Sequence, residues 1–326
     1  MSGRVFITGA SGFIGRALGD RFARDGYEVR GVDVAADPAR GVVAGDVGAP
    51  GAWQDHAAGS DLVIHTAAIV SMSGADPRAV WRVNALGTKH VLDAATRAAG
   101  GATRVVHLSS VTVFGFAFPD GVDESYPTEP NGVPYVDTKI ASEALVLRAH
   151  AAGEVPCAIV RPGDVYGPRS RPWTLLPVEE IERRRFVLPA RGRGVFSPVF
   201  IDNLVDGIVL AATHPDGAGG VFTLSDGVGV TTAEFFGHYA RMLGRRLATL
   251  PTGPSRALAS AAALGARVAR QETEINASAA RYLARTGTYS IARARDVLGY
   301  APAVSLEDGM ARTEAWLRAE GRVPAS

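Results

Sequence analysis

The stretch Thr8-Gly9-Ala10-Ser11-Gly12-Phe13-Ile14-Gly15 decides the fold, because three glycines at intervals of three stand between an apolar run and a helical pattern. The run Arg4–Thr8 predicts a strand, and the spacing of apolar residues over Phe13–Asp25 predicts a helix. A tight glycine turn lets the backbone approach a pyrophosphate, while the helix N-terminus directs free N–H groups at the phosphates. The pattern therefore predicts a dinucleotide site. Its predicted contacts are Gly9, Ser11, Gly12, Phe13, Ile14 and Gly15.

An aspartate closes the next predicted strand, Glu28–Asp33, 24 residues after Gly9. A carboxylate at this place hydrogen-bonds the adenosine ribose and repels a 2′-phosphate, so Asp33 favours NAD over NADP. Arg30 and Arg40 lie close to it in sequence and leave NADP as an alternative. The sequence therefore predicts NAD as the cofactor, with Asp33 as the residue that selects it.

Two later loops follow strands of the same predicted sheet, Val42–Ala44 and Asp61–His65. Ligands bind open α/β sheets beyond the carboxyl ends of the strands, so both loops are predicted to contact the cofactor. His65 ends a buried strand and is predicted to be a structural hydrogen-bonding residue rather than a base. The contacts predicted in these loops are Asp46, Val47, Thr66, Ala67 and Ala68.

Strands and helices continue to alternate through the first half of the chain. Apolar runs at Arg104–Ser109 and Val155–Val160 predict strands, and helical patterns cover Pro77–Ala99 and Pro134–Ala152. Such alternation predicts an α/β protein with a doubly wound parallel sheet. The less regular second half predicts a smaller, mostly helical C-terminal substrate lobe. The predicted domains are a nucleotide-binding core over 1–165, to which 198–225 return, and a lobe over 166–197 and 226–326.

The composition is that of an ordinary globular chain, with 326 residues, 47% apolar and 21% charged, and a formal net charge of +1. The balanced charge argues against nucleic acid as a partner, and the single Cys157 excludes an internal disulfide and a multi-cysteine zinc site. No metal site is predicted. Without a signal-peptide pattern or an apolar run of about 18 residues, we expect a cytoplasmic protein with no stable membrane insertion. The alanine-rich stretch Ala257–Ala269 is predicted to be a surface helix.

The sequence Tyr135-Val136-Asp137-Thr138-Lys139 places a tyrosine and a lysine one turn apart on the same helix face. An ammonium near a phenol favours the phenolate, so Lys139 is predicted to lower the pKa of Tyr135, which then acts as acid/base on a secondary alcohol. The chain has two lysines and 32 arginines, and Lys139 is one of the two lysines. This bias indicates that arginine cannot replace lysine in the function of residue 139. Ser110 follows the fifth predicted strand and is expected to hydrogen-bond the reacting oxygen.

These motifs together resemble the extended short-chain dehydrogenase/reductases, also described as NAD-dependent epimerases/dehydratases, from residue 4 to about residue 317. The resemblance implies a Rossmann fold, bound NAD, a small-molecule substrate, and a homodimer formed through the helices that carry Asn84 and Tyr135. It also implies that the segment Arg161–Pro168 contacts nicotinamide. The site residues that follow are Ser110, Tyr135, Lys139 and Asn84 for catalysis, and Ser109, Tyr135, Lys139, Pro162 and Val165 for the cofactor.

At several positions this chain differs from the sugar-nucleotide branches of the family, and these differences argue against a sugar-nucleotide substrate. The dehydratases carry an acidic pair after the active-site serine or threonine, where this chain has Val111-Thr112. The epimerases commonly have asparagine where Asp164 stands, and a basic residue near Ser197. The chain is more similar to bacterial 3β-hydroxysteroid dehydrogenases and dihydroflavonol reductases, a branch that acts on ketones and alcohols with apolar or aromatic skeletons.

The sequence therefore predicts an NAD-dependent oxidoreductase that interconverts a secondary alcohol and a ketone on a bulky apolar substrate. A nucleotide-sugar 4-epimerase with tightly bound NAD is the alternative, with Arg169, Arg171, Arg191 and Arg193 as candidate phosphate contacts. A non-catalytic NAD-sensing protein is disfavoured, because Tyr135 and Lys139 are both present. The predicted apolar wall residues are Phe114, Phe116, Phe118, Trp173, Leu175 and Leu176.

Overall fold

The computed structural model of the chain describes residues 3–72, 76–97, 104–268 and 276–324. Strands and helices alternate through its first half, as the sequence predicts for a parallel sheet. In chain order, these elements are β1 (Arg4–Thr8), α1 (Phe13–Arg24), β2 (Glu28–Asp33), β3 (Val42–Ala44), α2 (Trp53–His56), β4 (Leu62–His65), α3 (Pro77–Trp81), α4 (Gly87–Arg97), β5 (Arg104–Leu108), α5 (Pro134–Ala151) and β6 (Cys157–Pro162).

The second half of the chain contains shorter strands and more helix. In chain order, its elements are β7 (Asp164–Tyr166), α6 (Leu176–Glu182), β8 (Val187–Leu188), β9 (Val195–Phe196), β10 (Pro198–Phe200), α7 (Ile201–Thr213), β11 (Val221–Leu224), β12 (Val230–Thr231), α8 (Thr232–Met242), β13 (Ala248–Thr249), α9 (Thr252–Val268), α10 (Ala277–Tyr282), α11 (Ala292–Leu298) and α12 (Leu306–Ala319).

The main sheet of the described chain has seven parallel strands in the order β11-β6-β5-β4-β1-β2-β3. From β1 the chain first adds β2 and β3 on one side, and then crosses over to add β4, β5 and β6 on the other. The reversal opens a crevice beyond the carboxyl ends of β1 and β4, which is where ligands bind in such sheets. The Rossmann-type doubly wound sheet predicted from the sequence is confirmed.

Both faces of this sheet are buried. Along β1, Val5 and Ile7 belong to the hydrophobic cluster on one face, whereas Phe6 belongs to the cluster on the other. All three side chains are fully buried. A strand that is covered by helices on both faces has apolar residues at consecutive positions. This explains why apolar and polar residues do not alternate along Arg4–Thr8.

Two elements from the second half return to the main sheet. Strand β11 pairs with β6, with Val221 opposite Ile159. Helix α7 packs against α1, where Arg21 forms an ion pair with Asp206. One edge of the main sheet is thus formed by β11, which follows residues 166–197 of the predicted lobe in the chain. The domain boundaries given above stay a prediction.

The long helix predicted over Pro77–Ala99 differs from the structure, which has a π-helical turn at Arg82–Leu86 between α3 and α4. This turn holds Asn84, whose side-chain amide hydrogen-bonds the backbone of Ile69 on the neighbouring loop. Single π turns of this kind are frequent at functional sites. Residues 98 and 99 of the prediction lie outside the described residues.

Helix α9 covers most of the stretch predicted to be a surface helix, and Leu258 and Leu264 on it are exposed. Ala269 lies outside the described residues. Over the ranges that the structure describes, no helix is long and apolar enough to cross a membrane.

Candidate active site

The glycine loop closes between β1 and α1 in a conformation that requires glycine at two of its positions. Gly9 has φ +68°, and a side chain there would lie 2.9 Å from the backbone of Ala67. A Cβ on Gly15 would overlap the carbonyl oxygen of Gly9. Helix α1 begins after Gly12 with no side-chain cap and no acidic residue in its first turn. Its N-terminal N–H groups and positive dipole are therefore available to a phosphate.

Asp33 lies at the carboxyl end of β2, beside the glycine loop. One carboxylate oxygen accepts a hydrogen bond from the Ser11 backbone N–H (2.9 Å), and the other accepts one from Val34 (2.7 Å). Phe13 and Ile14 follow in the first turn of α1. The predicted contacts of the glycine motif and Asp33 are thus next to one another in the structure.

The loop after β4 is connected to β1 by hydrogen bonds. The Thr66 hydroxyl donates to the Thr8 carbonyl oxygen (2.7 Å), and the Ala67 N–H reaches the Thr8 hydroxyl (3.3 Å). Ala68 follows in the same loop. These contacts place all three predicted residues at the crevice between β1 and β4.

The His65 ring is buried and has a partner at each nitrogen. Its Nδ1 lies 2.7 Å from the Thr8 hydroxyl and its Nε2 lies 3.0 Å from the Thr88 hydroxyl, which itself donates to the Asn84 carbonyl oxygen. Burial, and then the charge of Lys139, lower the pKa of His65 to about 3. A neutral ring with both nitrogens occupied is a structural hydrogen-bonding group, as we predict from the sequence.

Asp46, which is predicted to lie near adenine, forms an ion pair with Arg82 (2.6 Å) and accepts a hydrogen bond from Gly48. Val47 is buried in the core, and its carbonyl oxygen lies 2.8 Å from the His90 ring. Both residues follow β3 at the carboxyl edge of the sheet. Their contact with a cofactor stays a prediction.

Tyr135, Lys139 and Ser110 come together beyond the ends of β4 and β5. Pro134 starts α5, since proline is accepted in the first turn of a helix, and this start puts Tyr135 and Lys139 on one buried face. The Lys139 Nζ lies 5.9 Å from the centre of the Tyr135 ring. The Ser110 side chain lies next to the Tyr135 phenol, and its Oγ accepts the Thr112 N–H (3.2 Å).

The prediction that Lys139 lowers the pKa of Tyr135 is wrong for this structure. Burial of the phenol raises its pKa above the usual value, and the hydrogen bond from Ser110 only partly offsets that rise. Desolvation penalises a phenolate more than a nearby ammonium favours it, because the Lys139 Nζ is directed at the Leu108 carbonyl oxygen (2.6 Å) instead of the phenol. Lowering this pKa therefore needs a further positive charge.

Asn84 takes a supporting position. Its Nδ2 donates to the Ile69 carbonyl oxygen (3.0 Å) and to the Thr138 hydroxyl (3.1 Å), and its Oδ1 accepts the Ile69 N–H. Thr138 lies on α5 between the tyrosine and the lysine. Asn84 thus fixes α5 against the loop after β4.

Ser109 directly follows β5 and Pro162 ends β6 at the same edge of the sheet, and Val165 lies in β7. The Ser109 hydroxyl is buried and has no hydrogen-bond partner within the described protein. Since unpaired buried hydroxyls are costly, this group is suited to a ligand that the protein binds.

Sequence reasoning missed a buried ion pair that joins the lobe to the sheet. Asp164 and Arg285 form a contact in which both side chains are 0% exposed. The same carboxylate accepts the Tyr282 hydroxyl (2.6 Å) and the Ser197 N–H (2.9 Å). All of these partners donate to the carboxylate, so Asp164 is engaged in structural contacts between the lobe and the sheet. No local pattern could connect residues 121 positions apart.

The predicted apolar wall divides into separate clusters. Phe116 packs with Tyr135 and Tyr282, and the half-buried Trp173 stacks on Tyr282 with ring centres 5.7 Å apart. Phe114 and Phe118 instead pack around Tyr289. Leu175 packs against the main core. Phe116 and Trp173 are therefore the predicted wall residues that the structure places beside Tyr135, with Tyr282 as a member that the sequence did not reveal.

The residues present fit a bound dinucleotide. The cradle between Gly9 and Gly15 would be filled by any Cβ, the α1 N-terminus is free of side-chain caps, and a carboxylate stands at the ribose position of the motif. Within the described residues, no group of three His, Cys, Asp or Glu side chains is placed to hold a metal ion. Fold and site together define a dinucleotide-dependent oxidoreductase of the Rossmann type.

Comparison with known proteins identifies the family. The chain belongs to the NAD dependent epimerase/dehydratase family, whose model matches residues 5–224. The family assignment made from the motifs, the oxidoreductase class and NAD as the cofactor are thereby confirmed.

The proteins that the chain is similar to are named with different substrates or ligands. A 4-hydroxy-2-methyl-3-oxo-4-farnesyl-3,4-dihydroquinoline-1-oxide ketoreductase from Stigmatella aurantiaca is 31% identical, over 98% of this chain and 99% of that protein. A 3-beta-hydroxysteroid dehydrogenase from Mycolicibacterium neoaurum is 30% identical, over 95% of this chain and 90% of that protein. The solved structure of MoeE5 in complex with UDP-glucose and NAD matches this chain with a TM-score of 0.77 and 25% sequence identity. The match covers 98% of this chain and 99% of that chain.

Proposed function

We propose that the protein is an NAD-dependent alcohol dehydrogenase or ketoreductase that acts on a bulky, mostly apolar substrate. The observation that carries the proposal is the buried Tyr135 phenol, which lies next to Ser110 and packs with Phe116 and Tyr282. This arrangement offers a proton donor and acceptor surrounded by aromatic rings. The two relatives named for a farnesylated quinoline oxide and a steroid are similar to this chain over nearly its whole length.

The side chains divide the proton chemistry among them. Tyr135 Oη takes the hydroxyl proton of the alcohol, or returns it to the ketone oxygen, and acts as the acid/base. Ser110 lies next to the phenol and can donate to the same substrate oxygen, while the Thr112 backbone N–H fixes its Oγ. The glycine loop and Asp33 would hold NAD, which would supply the acceptor or donor of the hydride at the carbinol carbon. Lys139 supplies positive charge behind the phenol and thereby favours the phenolate.

The buried charges behind Tyr282 offer no binding site for a diphosphate. Arg285 lies behind Tyr282, but Asp164 neutralises it and both are fully buried. A diphosphate needs guanidinium groups that are free to bind its oxygens, and this arginine is not free. Burial of apolar surface contributes about 25 cal/mol per Å², so a steroid-sized skeleton can bind without phosphate contacts.

A nucleotide-sugar 4-epimerase is the second candidate, and one observation favours it. The exposed Arg281 guanidinium lies 5.6 Å from the centre of the Phe116 ring, beside the aromatic cluster. A cation at that place could contact a phosphate of the substrate. Such an epimerase would retain its NAD and show no net redox change.

The decisive experiment is a substrate panel on purified protein with NAD(H), preceded by native mass spectrometry for retained cofactor. Steroid and aromatic ketones and alcohols are scored by NADH absorbance, and UDP-glucose and UDP-galactose by interconversion. We expect turnover of at least one apolar substrate and none of the UDP-sugars. Interconversion of the UDP-sugars, without NADH change, would establish the epimerase instead.

We also propose a homodimer formed through the helices that carry Asn84 and Tyr135. Trp81 on α3, Leu86 in the π turn and Leu147 on α5 are large apolar side chains that stay nearly half exposed. Helices α3 and α4 both pack against α5. A second copy of the chain would bury these side chains.

Light scattering after size exclusion tests the dimer. Leu86→Glu with Leu147→Glu should convert it to a monomer, whereas Leu264→Glu, on the exposed face of α9, should not. A wild-type protein that is monomeric at micromolar concentration contradicts the proposal.

A further inference from the structure

A group of positive side chains lies on the lobe, at the C-terminal ends of α6 and α8. Arg184 lies just after α6, and Arg245 with Arg246 lies just after α8. All three residues are exposed. Across the described residues, none of the three forms an ion pair with a carboxylate, whereas the adjacent Arg185 is bound to Glu180. The protein itself therefore supplies no counter-ion for these three guanidinium groups.

The three arginines line one cavity, which has a volume of about 330 Å³. Its other lining residues are apolar or small, and none is acidic: Ile181, Phe186, Gly244, Leu247 and Ala248. Ile181 is buried, and Phe186 and Leu247 are half-buried, so these side chains form an apolar floor. Small-molecule sites have volumes of about 300 to 1,000 Å³, and this cavity is at the lower end of that range. It combines an apolar floor with a positively charged rim.

The backbone holds the two arginine segments side by side. Strand β8, which follows Arg184, pairs with β13, which follows Arg246, and Val187 lies opposite Ala248. Arg184 has φ +56°, a left-handed conformation that is unfavourable for a residue with a side chain. Such conformations persist only where the surrounding structure fixes them, and they are frequent at ligand sites. The fold thus determines where the arginines stand around the cavity.

The helix dipoles account for only part of the positive charge. A helix C-terminus carries about half a negative charge, so the ends of α6 and α8 together balance about one of the three guanidinium charges. The remainder favours an anion. Guanidinium groups bind phosphate oxygens in pairs, which makes phosphate a good match for the rim. Inorganic phosphate alone would leave Phe186 and Leu247 uncovered, whereas an apolar group attached to the phosphate would pack against them.

We propose that the cavity between α6 and α8 is a binding site for a small organic phosphate, a molecule in which a phosphate group is joined to an apolar or aromatic part. The site is separate from the candidate active site, because no residue of the glycine loop and no member of the cluster around Tyr135 lines it. The inference therefore does not depend on the proposed function.

Isothermal titration calorimetry with 2-naphthyl phosphate tests the site, and 2-naphthol and inorganic phosphate serve as the two halves of the probe. The protein is first saturated with NAD, so that the glycine loop cannot bind the phosphate group. We expect the ester to bind about tenfold or more tightly than either half, and to bind more weakly as the salt concentration rises. Equal affinity for the ester and for 2-naphthol, or no measurable binding of the ester, would overturn the inference.

The double variant Arg245→Gln with Arg246→Gln should weaken binding of the ester about tenfold or more, because two charged donors are lost. Arg24→Gln with Arg78→Gln is the matched control. It removes the same net charge from exposed positions on α1 and α3, and it should leave the affinity unchanged. Since all four side chains are exposed, both variants should fold, which circular dichroism can verify. Equal losses of affinity in both variants would show that net charge alone attracts the probe, and the proposal would be wrong.

Binding of the probe at the candidate active site is tested with Arg281→Gln, because the Arg281 guanidinium lies beside the Phe116 ring. This variant should bind the ester as the wild type does. A loss of affinity in Arg281→Gln, with none in the variant of Arg245 and Arg246, would place the probe at the active site and overturn the inference.

A phosphate ester with an apolar part can be a soluble molecule or a lipid headgroup. Sedimentation with phosphatidylcholine vesicles, with and without phosphatidic acid, distinguishes the two sources. Sedimentation that requires phosphatidic acid and is abolished in the variant of Arg245 and Arg246 would assign the cavity to a lipid headgroup. If the protein binds the naphthyl ester but does not sediment with either vesicle, the cavity takes a soluble organic phosphate.

Discussion

Replacing Asp164 with asparagine should destabilise the fold by about 3 to 5 kcal/mol, the usual effect of removing one partner of a buried ion pair. Asparagine keeps the size of the side chain, so the loss is electrostatic. Arg285 would be left as an uncompensated charge with 0% exposure, and the Tyr282 hydroxyl and Ser197 N–H would lose a charged acceptor. The effect should be large although the residue lies outside the proposed proton chemistry.

Equilibrium denaturation can measure this loss, because Trp173 stacks on Tyr282 and reports on the same contact by fluorescence. Circular dichroism supplies the global signal. In the double variant Asp164→Asn with Arg285→Met, no unpaired charge remains, and most of the lost free energy of unfolding should return. The coupling energy of the cycle then gives the strength of the pair.

Two results would refute the reasoning. One is a loss below about 1 kcal/mol for Asp164→Asn, which is the scale of an exposed ion pair. The other is a double variant that is no more stable than the single one, since the buried arginine would then not be the cause.

Three further predictions concern the cofactor and the acid/base. Tyr135→Phe should lower kcat by about 10² to 10⁴, as expected for loss of a general acid/base, with NAD binding by calorimetry unchanged. Gly15→Ala should weaken NAD binding more than tenfold, because the new Cβ overlaps the Gly9 carbonyl oxygen. As a control, a Cβ on Gly265 in α9 meets open space, so Gly265→Ala should stabilise that helix by about 0.5 to 1 kcal/mol. Because the Asp33 carboxylate would repel a 2′-phosphate, the enzyme should have a higher kcat/KM with NADH than with NADPH. Equal values would contradict the role of Asp33 in selecting the cofactor.

Local signals predicted those parts of the site that lie close together in the chain. Gly9, Gly12 and Gly15 are spaced by the turn that they form, and Tyr135 and Lys139 by one turn of α5. Backbone geometry alone links such residues to a phosphate loop and to a helix face. For this reason the sheet, the cofactor and the family could be inferred from the sequence.

The errors arise where tertiary packing decides. The pKa of Tyr135 depends on burial, which no spacing reveals. Part of a predicted helix is a π turn, and Asn84 in this turn hydrogen-bonds the distant backbone of Ile69. Phe114 was predicted to lie with Phe116, but it packs in a different cluster because the chain turns sharply at Gly115 (φ +77°). Pairs such as Asp164 and Arg285 carry no local signature at all.

The place of β11 at the edge of the sheet has a consequence for synthesis on the ribosome. While the chain emerges, β6 keeps an open edge until Val221–Leu224 can pair with it, and α1 lacks its covering helix α7 until residue 213 has appeared. The nucleotide-binding half therefore cannot finish folding before part of the lobe has been made. An unpaired parallel strand is a site for mispairing, so a pause in translation between residues 165 and 220 would expose this protein to aggregation more than a pause after β11.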